Sequence, residues 1–182
     1  MAEALEAAPP VSHDEASWRC EQLTMLVCRP PAMFHLEGGR DGATDAMLPA
    51  AGCCTADVTG RLFSIAPDVY FFVGGGSNAG ALNARFQVVI DVSSAWTHLA
   101  FAGPRVVELL RKGCAVDLHP RAFPAGACCA TGFARMRVVL WRPSIEARYE
   151  MLVARSYART LWSWLIEAAE QYRGQKTEEP LQ

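Results

Sequence analysis

The residues with the means to do chemistry are few and scattered. Seven cysteines dominate, arranged as the adjacent pairs Cys53-Cys54 and Cys128-Cys129 with Cys20, Cys28 and Cys114 standing alone. An odd number with vicinal pairs is a poor disulfide framework, so reduced thiols serving as small hydrophobes are expected. A metal site would want spaced pairs such as C-x-x-C. Cys114, His119, Cys128 and Cys129 give only C-x4-H followed by a vicinal pair, and no metal ligand is assigned. Asp117 and His119, two apart in a loop bounded by Pro120 and Pro124, form the best acid and base candidates. An Asp and a His flanking a turn more often bond the loop's own N–H and C=O groups, which is the preferred reading. His35 alternates with Phe34 and Leu36 and has no Ser, Cys and acid nearby to form a nucleophile arrangement, so it reads as a polar group on an exposed strand face. His13 has no visible partner. Lys112 and Arg155 read as helix-end charges or subunit contacts rather than substrate clamps. Without paired carboxylates or an activated nucleophile, no residue is assigned a catalytic, cofactor-binding or metal-binding role.

The elements that position these residues centre on Asp91 to Gly126. Trp96 to Phe101 alternates polar and apolar side chains, with Thr97, Leu99 and Phe101 on one face of a half-buried strand. Pro104 is placed to open a helix carried by Val106, Val107, Leu109 and Leu110, with Arg111 and Lys112 near its negative end and Gly113 as a left-handed stop. The two prolines after it make 114–124 an ordered loop. Further strands are expected at Leu23–Cys28, Met33–Glu37, Leu62–Ile65, Val69–Val73, Phe86–Val92, Cys128–Phe133, Met136–Trp141 and Tyr149–Val153, with Val69–Val73 central and the last two joined as a hairpin. Thr44-Asp45 would cap a short helix over Ala46–Leu48. The run Gly74-Gly75-Gly76-Ser77-Asn78-Ala79-Gly80 follows a strand but has neither G-K-[ST] nor G-x-G-x-x-G spacing, so it is read as a connection to a short helix over Gly80–Ala84. A long helix begins near Ser156 as N-cap, buries Tyr157, Leu161, Trp164, Leu165, Ala168 and Tyr172, and stops at Arg173-Gly174. Trp162 falls off that stripe and is expected at an interface.

A chain of 182 residues, half of them hydrophobic, suits one domain or two lobes sharing a core. The expected division is an N-terminal arm over 1–22, one domain over 23–172 with lobes 23–90 and 91–172, and a polar tail over 173–182. A net charge of -2 gives no reason to expect nucleic acid or an anionic membrane as partner. No apolar run approaches the roughly 20 residues that span a bilayer, and residues 1–15 lack the basic-then-apolar pattern of a leader, so a cytoplasmic protein is expected.

One resemblance adds to this reading. Asp91-Val92-Ser93, Gly103-Pro104-Arg105, Lys112-Gly113-Cys114, Asp117 to Phe123, Gly126, Arg155-Ser156-Tyr157-Ala158 and Leu161-Trp162 with Trp164-Leu165 follow one another as in the gamma subunits of heterotetrameric sarcosine oxidases, which residues 88–172 resemble. The resemblance implies an α+β fold of small mixed or antiparallel sheets flanked by helices, similar to the folate-binding domain of the glycine-cleavage aminomethyltransferase. It also implies a flavoenzyme complex of four subunits. In it, alpha and beta hold FAD, FMN and NAD and form the tetrahydrofolate site, delta binds zinc, and gamma, without a cofactor, packs against the large subunits. Such a complex demethylates sarcosine to glycine, passes the one-carbon unit to tetrahydrofolate and reduces oxygen to hydrogen peroxide. A subunit of that kind should present an apolar, aromatic-rich surface. The alternatives are the equivalent subunit of an N-methylglutamate dehydrogenase, and a free-standing folate-binding protein of the aminomethyltransferase or iron–sulfur maturation kind. The signature of the maturation factor continues Lys-Gly-Cys with an aromatic and Gly-Gln-Glu, whereas Lys112-Gly113-Cys114 continues with Ala115-Val116-Asp117.

Overall fold

The computed structural model describes residues 17–28, 32–39, 48–56, 60–74, 79–144 and 146–173. In chain order the elements are β1 (Ser17–Cys20), β2 (Leu23–Cys28), β3 (Ala32–Gly39), β4 (Cys54–Ala56), β5 (Gly60–Ala66), β6 (Val69–Gly74), α1 (Ala79–Arg85), β7 (Phe86–Asp91), β8 (Trp96–Ala102), α2 (Val106–Arg111), β9 (Cys128–Phe133), β10 (Met136–Trp141), β11 (Arg148–Ala154) and α3 (Ala158–Ala169). Short 3₁₀ turns at Arg155–Tyr157 and Glu170–Tyr172 flank α3. The strands form a six-stranded sheet in the order β1-β2-β8-β11-β10-β9 and a five-stranded sheet in the order β4-β5-β6-β3-β7. Every pairing is antiparallel. This is an α+β architecture, and β6 is central in its sheet, as its unbroken apolar run requires.

Side-chain alternation sets the layers. From one face of the six-stranded sheet, Leu99, Phe101, Val138, Leu140, Met151 and Val153 pack with Val106, Leu109 and Leu110 of α2 and with Leu161 and Leu165 of α3. From the other, Val139, Trp141 and Leu152 meet Met33, Phe63, Phe71 and Val73 of the second sheet. The far face of that sheet, with Phe34, Leu36, Leu62, Tyr70 and Phe72, is closed by Leu82 of α1 and by Phe86. The order is helices, sheet, sheet, helix, with apolar side chains removed from water at each boundary.

Several expectations need correction. Ser17–Cys20 lies within the stretch read as an arm, yet forms β1, because it pairs with β2 and buries Trp18. Helix α2 starts at Val106, two residues after Pro104. Gly103 at φ +121° and Pro104 form the turn before it, and the Arg105 N–H reaches back to the Gln22 carbonyl at 3.2 Å. Gly113 is no left-handed stop, since the positive-φ glycines among the described residues are Gly38, Gly52, Gly103 and Gly126. Its requirement is space: a Cβ at Gly113 would sit 2.4 Å from Cζ of Phe133. Ser156 does not cap α3. It lies in the 3₁₀ turn, where Tyr157 is the N-cap and the Ala158 N–H bonds the Arg155 carbonyl. Trp162 is only 3% exposed and belongs to the core. The helix expected from Thr44-Asp45, the glycines at 75 and 76, and Gly174 lie outside the described residues.

Candidate functional site

Loop 114–124 holds the acid and base candidates. The His119 N–H donates to Oδ1 of Asp117 at 2.9 Å, and the Arg121 N–H donates to Nδ1 of His119 at 3.2 Å. The His119 carbonyl accepts from Ala122 and Phe123 at 2.9 and 2.8 Å. Between the two candidates Leu118 is fully buried, and its carbonyl takes the Tyr149 hydroxyl at 3.3 Å. Both polar side chains are therefore engaged in bending the loop back on itself, as the sequence leads one to expect. Lys112 donates to the Ala168 carbonyl at 2.8 Å and lies 5.0 Å from the Tyr172 ring, tying α2 to the last turn of α3 as a helix-end charge should. Arg155 lies in the 3₁₀ turn, its N–H bonded to the Ala95 carbonyl at 2.8 Å. His35 shares a 2.8 Å bond with Glu37 and meets the Phe71 ring edge-on.

The most structured polar group was not singled out in the sequence. Nε2 of His98 on β8 bonds Oε2 of Glu150 on β11 at 2.9 Å, and the other carboxylate oxygen takes Nε and Nη2 of Arg148 at 3.1 and 2.8 Å. The imidazole stacks on Trp141 at 5.3 Å, and Trp141 meets Phe63 of the opposite sheet at 4.8 Å. A cleft of about 250 Å³ opens here between Ala56, Gly60, Arg61, Phe63, Val73, Trp141 and Glu150. Burial by itself would raise the Glu150 carboxyl, but the hydrogen bonds and charges of His98 and Arg148 outweigh it and hold the group below the usual glutamate range. A signal existed in the sequence: a carboxylate in the middle of the otherwise apolar run Tyr149–Val153 needs a partner when buried.

Cys28 stands opposite His98 in the β2–β8 register, which places a thiol, an imidazole and a carboxylate on neighbouring strands of one face. They do not form an activated nucleophile. Burial pushes the Cys28 thiol up, the Glu150 charge pushes it further, and the imidazole is occupied by Glu150 and Trp141.

The fold also joins the vicinal cysteine pairs across the sheets. The Cys54 N–H bonds the Gly126 carbonyl and the Cys128 N–H bonds the Gly52 carbonyl, each at 2.8 Å. The Cys128 thiol donates to the Cys53 and Ser64 carbonyls at 3.1 and 3.6 Å. Burial first, then the neighbouring Cys54, Cys129 and Cys53, push that thiol up to about 12, and burial with Cys114 pushes Cys129 up to about 11. These thiols are protonated at neutral pH and behave as small core residues. All seven cysteines are free. Cys114 and His119 do not converge: the Cys114 thiol donates to the Leu110 carbonyl at 3.4 Å, while the His119 ring faces Arg121. Among the described residues no group of three or more His, Cys, Asp and Glu is placed to hold a metal ion.

The exposed large hydrophobics among the described residues are Val88 (37%), Ile90 (50%) and Tyr157 (53%), while Trp18, Trp141 and Trp162 are buried. No helix among the described residues is long and apolar enough to cross a membrane.

Comparison with known proteins places this geometry. Residues 41–171 match the family described as sarcosine oxidase, gamma subunit family. The chain is 33% identical over 138 residues to sarcosine oxidase subunit gamma of Corynebacterium sp. (strain U-96), covering 71% of this chain and 67% of that protein. It is 35% identical over 97 residues to sarcosine oxidase subunit gamma of Arthrobacter sp, covering 53% of this chain and 47%, about half, of the relative. Among solved structures, a chain of the heterotetrameric sarcosine oxidase from Corynebacterium sp. U-96 in complex with pyrrole 2-carboxylate matches at TM-score 0.79 and 26% identity, over 94% of this chain and 99% of that one. The glycine cleavage system aminomethyltransferase T from Bartonella henselae matches at TM-score 0.56 and 18% identity, over 80% of this chain and 45% of that one, a likeness of fold alone.

Proposed function

Since the chain belongs to the sarcosine oxidase gamma subunit family, we propose that it works as the gamma subunit of a heterotetrameric sarcosine oxidase and contributes assembly rather than catalysis. The observation that carries this reading is the match of nearly the whole fold, 94% of this chain against 99% of a chain of such an oxidase. The partners in this reading are alpha, beta and delta subunits. FAD, FMN, NAD and tetrahydrofolate belong to the large ones and zinc to delta, and the complex oxidatively demethylates sarcosine, delivers the one-carbon unit to tetrahydrofolate and reduces oxygen to hydrogen peroxide. A cytoplasmic setting agrees with seven free thiols.

The chain's own chemistry supports the assembly role. The acids and bases of the described residues with the best geometry are engaged within the fold: Asp117 and His119 with loop backbone, His98 and Glu150 with each other, and the Cys128 thiol with two carbonyl groups. A group so engaged is not free to take a substrate proton. The test is to supply the purified chain with sarcosine and tetrahydrofolate, following oxygen uptake and folate binding by calorimetry, and to repeat the assay with the other subunits present. Turnover only in the complete assembly, with no folate bound by this chain alone, is expected. Folate binding or demethylation by the chain alone would overturn the assignment.

A further inference from the structure

The outer edge of β9 is only half used. The Cys128 N–H turns outward to the Gly52 carbonyl, and Cys53 bridges Ala127, so the first part of this edge is covered from the other sheet. Because outward and inward groups alternate along an antiparallel ladder, the N–H and C=O of Ala130 and Gly132 also point outward. No strand covers them among the described residues, where β9 is the last strand of its sheet. A groove of about 500 Å³ runs along this part, lined by Ala130, Thr131, Gly132, Arg135, Met136 and Arg137.

Gly132 has no internal explanation. Its φ is not positive, the β9–β10 register is regular through it, and a Cβ built there meets nothing within 4 Å. Glycine inside a strand costs stability, and where neither a bulge nor a crowded neighbour demands it, it marks a close approach by another chain or ligand. Arg137 stands opposite Gly132 in the ladder, and Arg135 is in the adjoining turn. Both guanidinium groups are exposed and neither has a carboxylate partner among the described residues. Charged residues on an edge strand can serve to repel other strands, but here they lie in the turn and on β10, while the sequence of β9, Cys-Cys-Ala-Thr-Gly-Phe, carries neither charge nor proline. The hairpin is also held in place beforehand, since the Ala134 N–H bonds the Gly113 carbonyl at 2.8 Å and Phe133 is packed against Trp164.

We infer that the Ala130–Gly132 edge receives an extended acidic segment of another subunit, which adds a seventh strand to the six-stranded sheet and places its carboxylates on Arg135 and Arg137. The inference rests on the subunit reading above. Backbone hydrogen bonds supply the attachment and charge selects the segment. The described ends of the chain lie at the other edge of the sheet: it begins in β1, and Arg173 lies 5.5 Å from the Trp18 ring on β1, whereas β1 and β9 are opposite edges, about 24 Å apart at the usual strand spacing.

The experiment is hydrogen–deuterium exchange on the full chain alone and in the assembled oxidase, read at Ala130 and Gly132, with the inward-bonded Thr131 as internal control. The inference predicts that these two amides exchange fast in the chain alone and become protected in the assembly. Arg135→Glu with Arg137→Glu should weaken assembly by about tenfold or more, as truncating interfacial charge pairs does, while leaving the melting temperature unchanged. Gly132→Val should raise the melting temperature of the chain yet lower its share in the complex, a split in sign that a merely structural glycine would not give. If the complex forms and the two amides stay unprotected, this inference alone falls. It also falls if the chain alone already protects them. If no flavin-bearing partner assembles with the chain, the subunit reading falls and takes the inference with it.

Discussion

Glu150 shows how a single side chain ties neighbouring strands of one sheet, bonding His98 on β8 and Arg148 on its own strand β11. Its folded carboxyl is held below the unfolded value, so the stabilisation is present above the unfolded pKa of about 4.3 and is lost as pH falls through the folded value. Denaturant midpoints followed from pH 7 downward should fall on that acid limb, and Glu150→Gln should flatten it. An unchanged limb would show that the carboxylate gains nothing on folding. Gly113 offers a steric counterpart. Gly113→Ala puts a methyl group 2.4 Å from the Phe133 ring and should cost about 1–3 kcal/mol by thermal denaturation, whereas Gly132→Val, with no neighbour in reach, should gain up to about 1 kcal/mol. Among the thiols, exposed Cys53 should react with iodoacetamide in the folded chain, while Cys128, buried and pushed up to about 12, should react only on unfolding. Mass mapping of the modified peptides decides this. At this scale the sequence was legible where bonds are local. Asp117 and His119 bond groups two residues away, a pattern that spacing reveals. His98 and Glu150 meet across 52 positions, and no local pattern announces that.

Helix α3 shows what can mislead a periodicity argument. Its buried set is Ala158, Leu161, Trp162, Leu165 and Ala169, a regular helical stripe in which two of the five positions are alanine. Tyr157, Trp164 and Ala168 suggest a stripe turned toward a neighbouring face, although Tyr157 is 53% exposed. Bulk outweighed phase. Trp162→Ala should therefore cost folding about 3–5 kcal/mol, the usual price of truncating a buried tryptophan, with loss of assembly following from unfolding rather than preceding it. A folded Trp162→Ala chain with unchanged melting temperature that fails to assemble would restore the interface role. The strands were more legible than the helix ends, because alternation of period two is written in the residues themselves, as in Trp96–Ala102. Helix starts depend on backbone bonds from distant turns, such as Arg105 to Gln22, so Pro104 alone placed α2 too early.

At the scale of the molecule the described residues form two antiparallel sheets with helices outside, and the sheet order could not be read from local pattern. The six-stranded sheet takes β1 and β2 from the start of the described chain and its other strands from residues 96–154, while the second sheet lies between them in sequence. Pairing β2 with β8 closes a long loop whose reward is burial of Met25 and Leu99, a tertiary gain invisible to any short window. The family, by contrast, was legible, because its motifs are short and fall in order over residues 88–172. What a subunit of this kind must do is hold other chains, and that is the claim to test first. The measurement is affinity capture of the tagged chain from its native cell, with an absorbance spectrum and the masses of what accompanies it. The account predicts two larger chains carrying flavin absorbance together with one small zinc-binding chain, and sarcosine-dependent oxygen uptake in the same fraction. A folded, monodisperse chain arriving alone without flavin would contradict it.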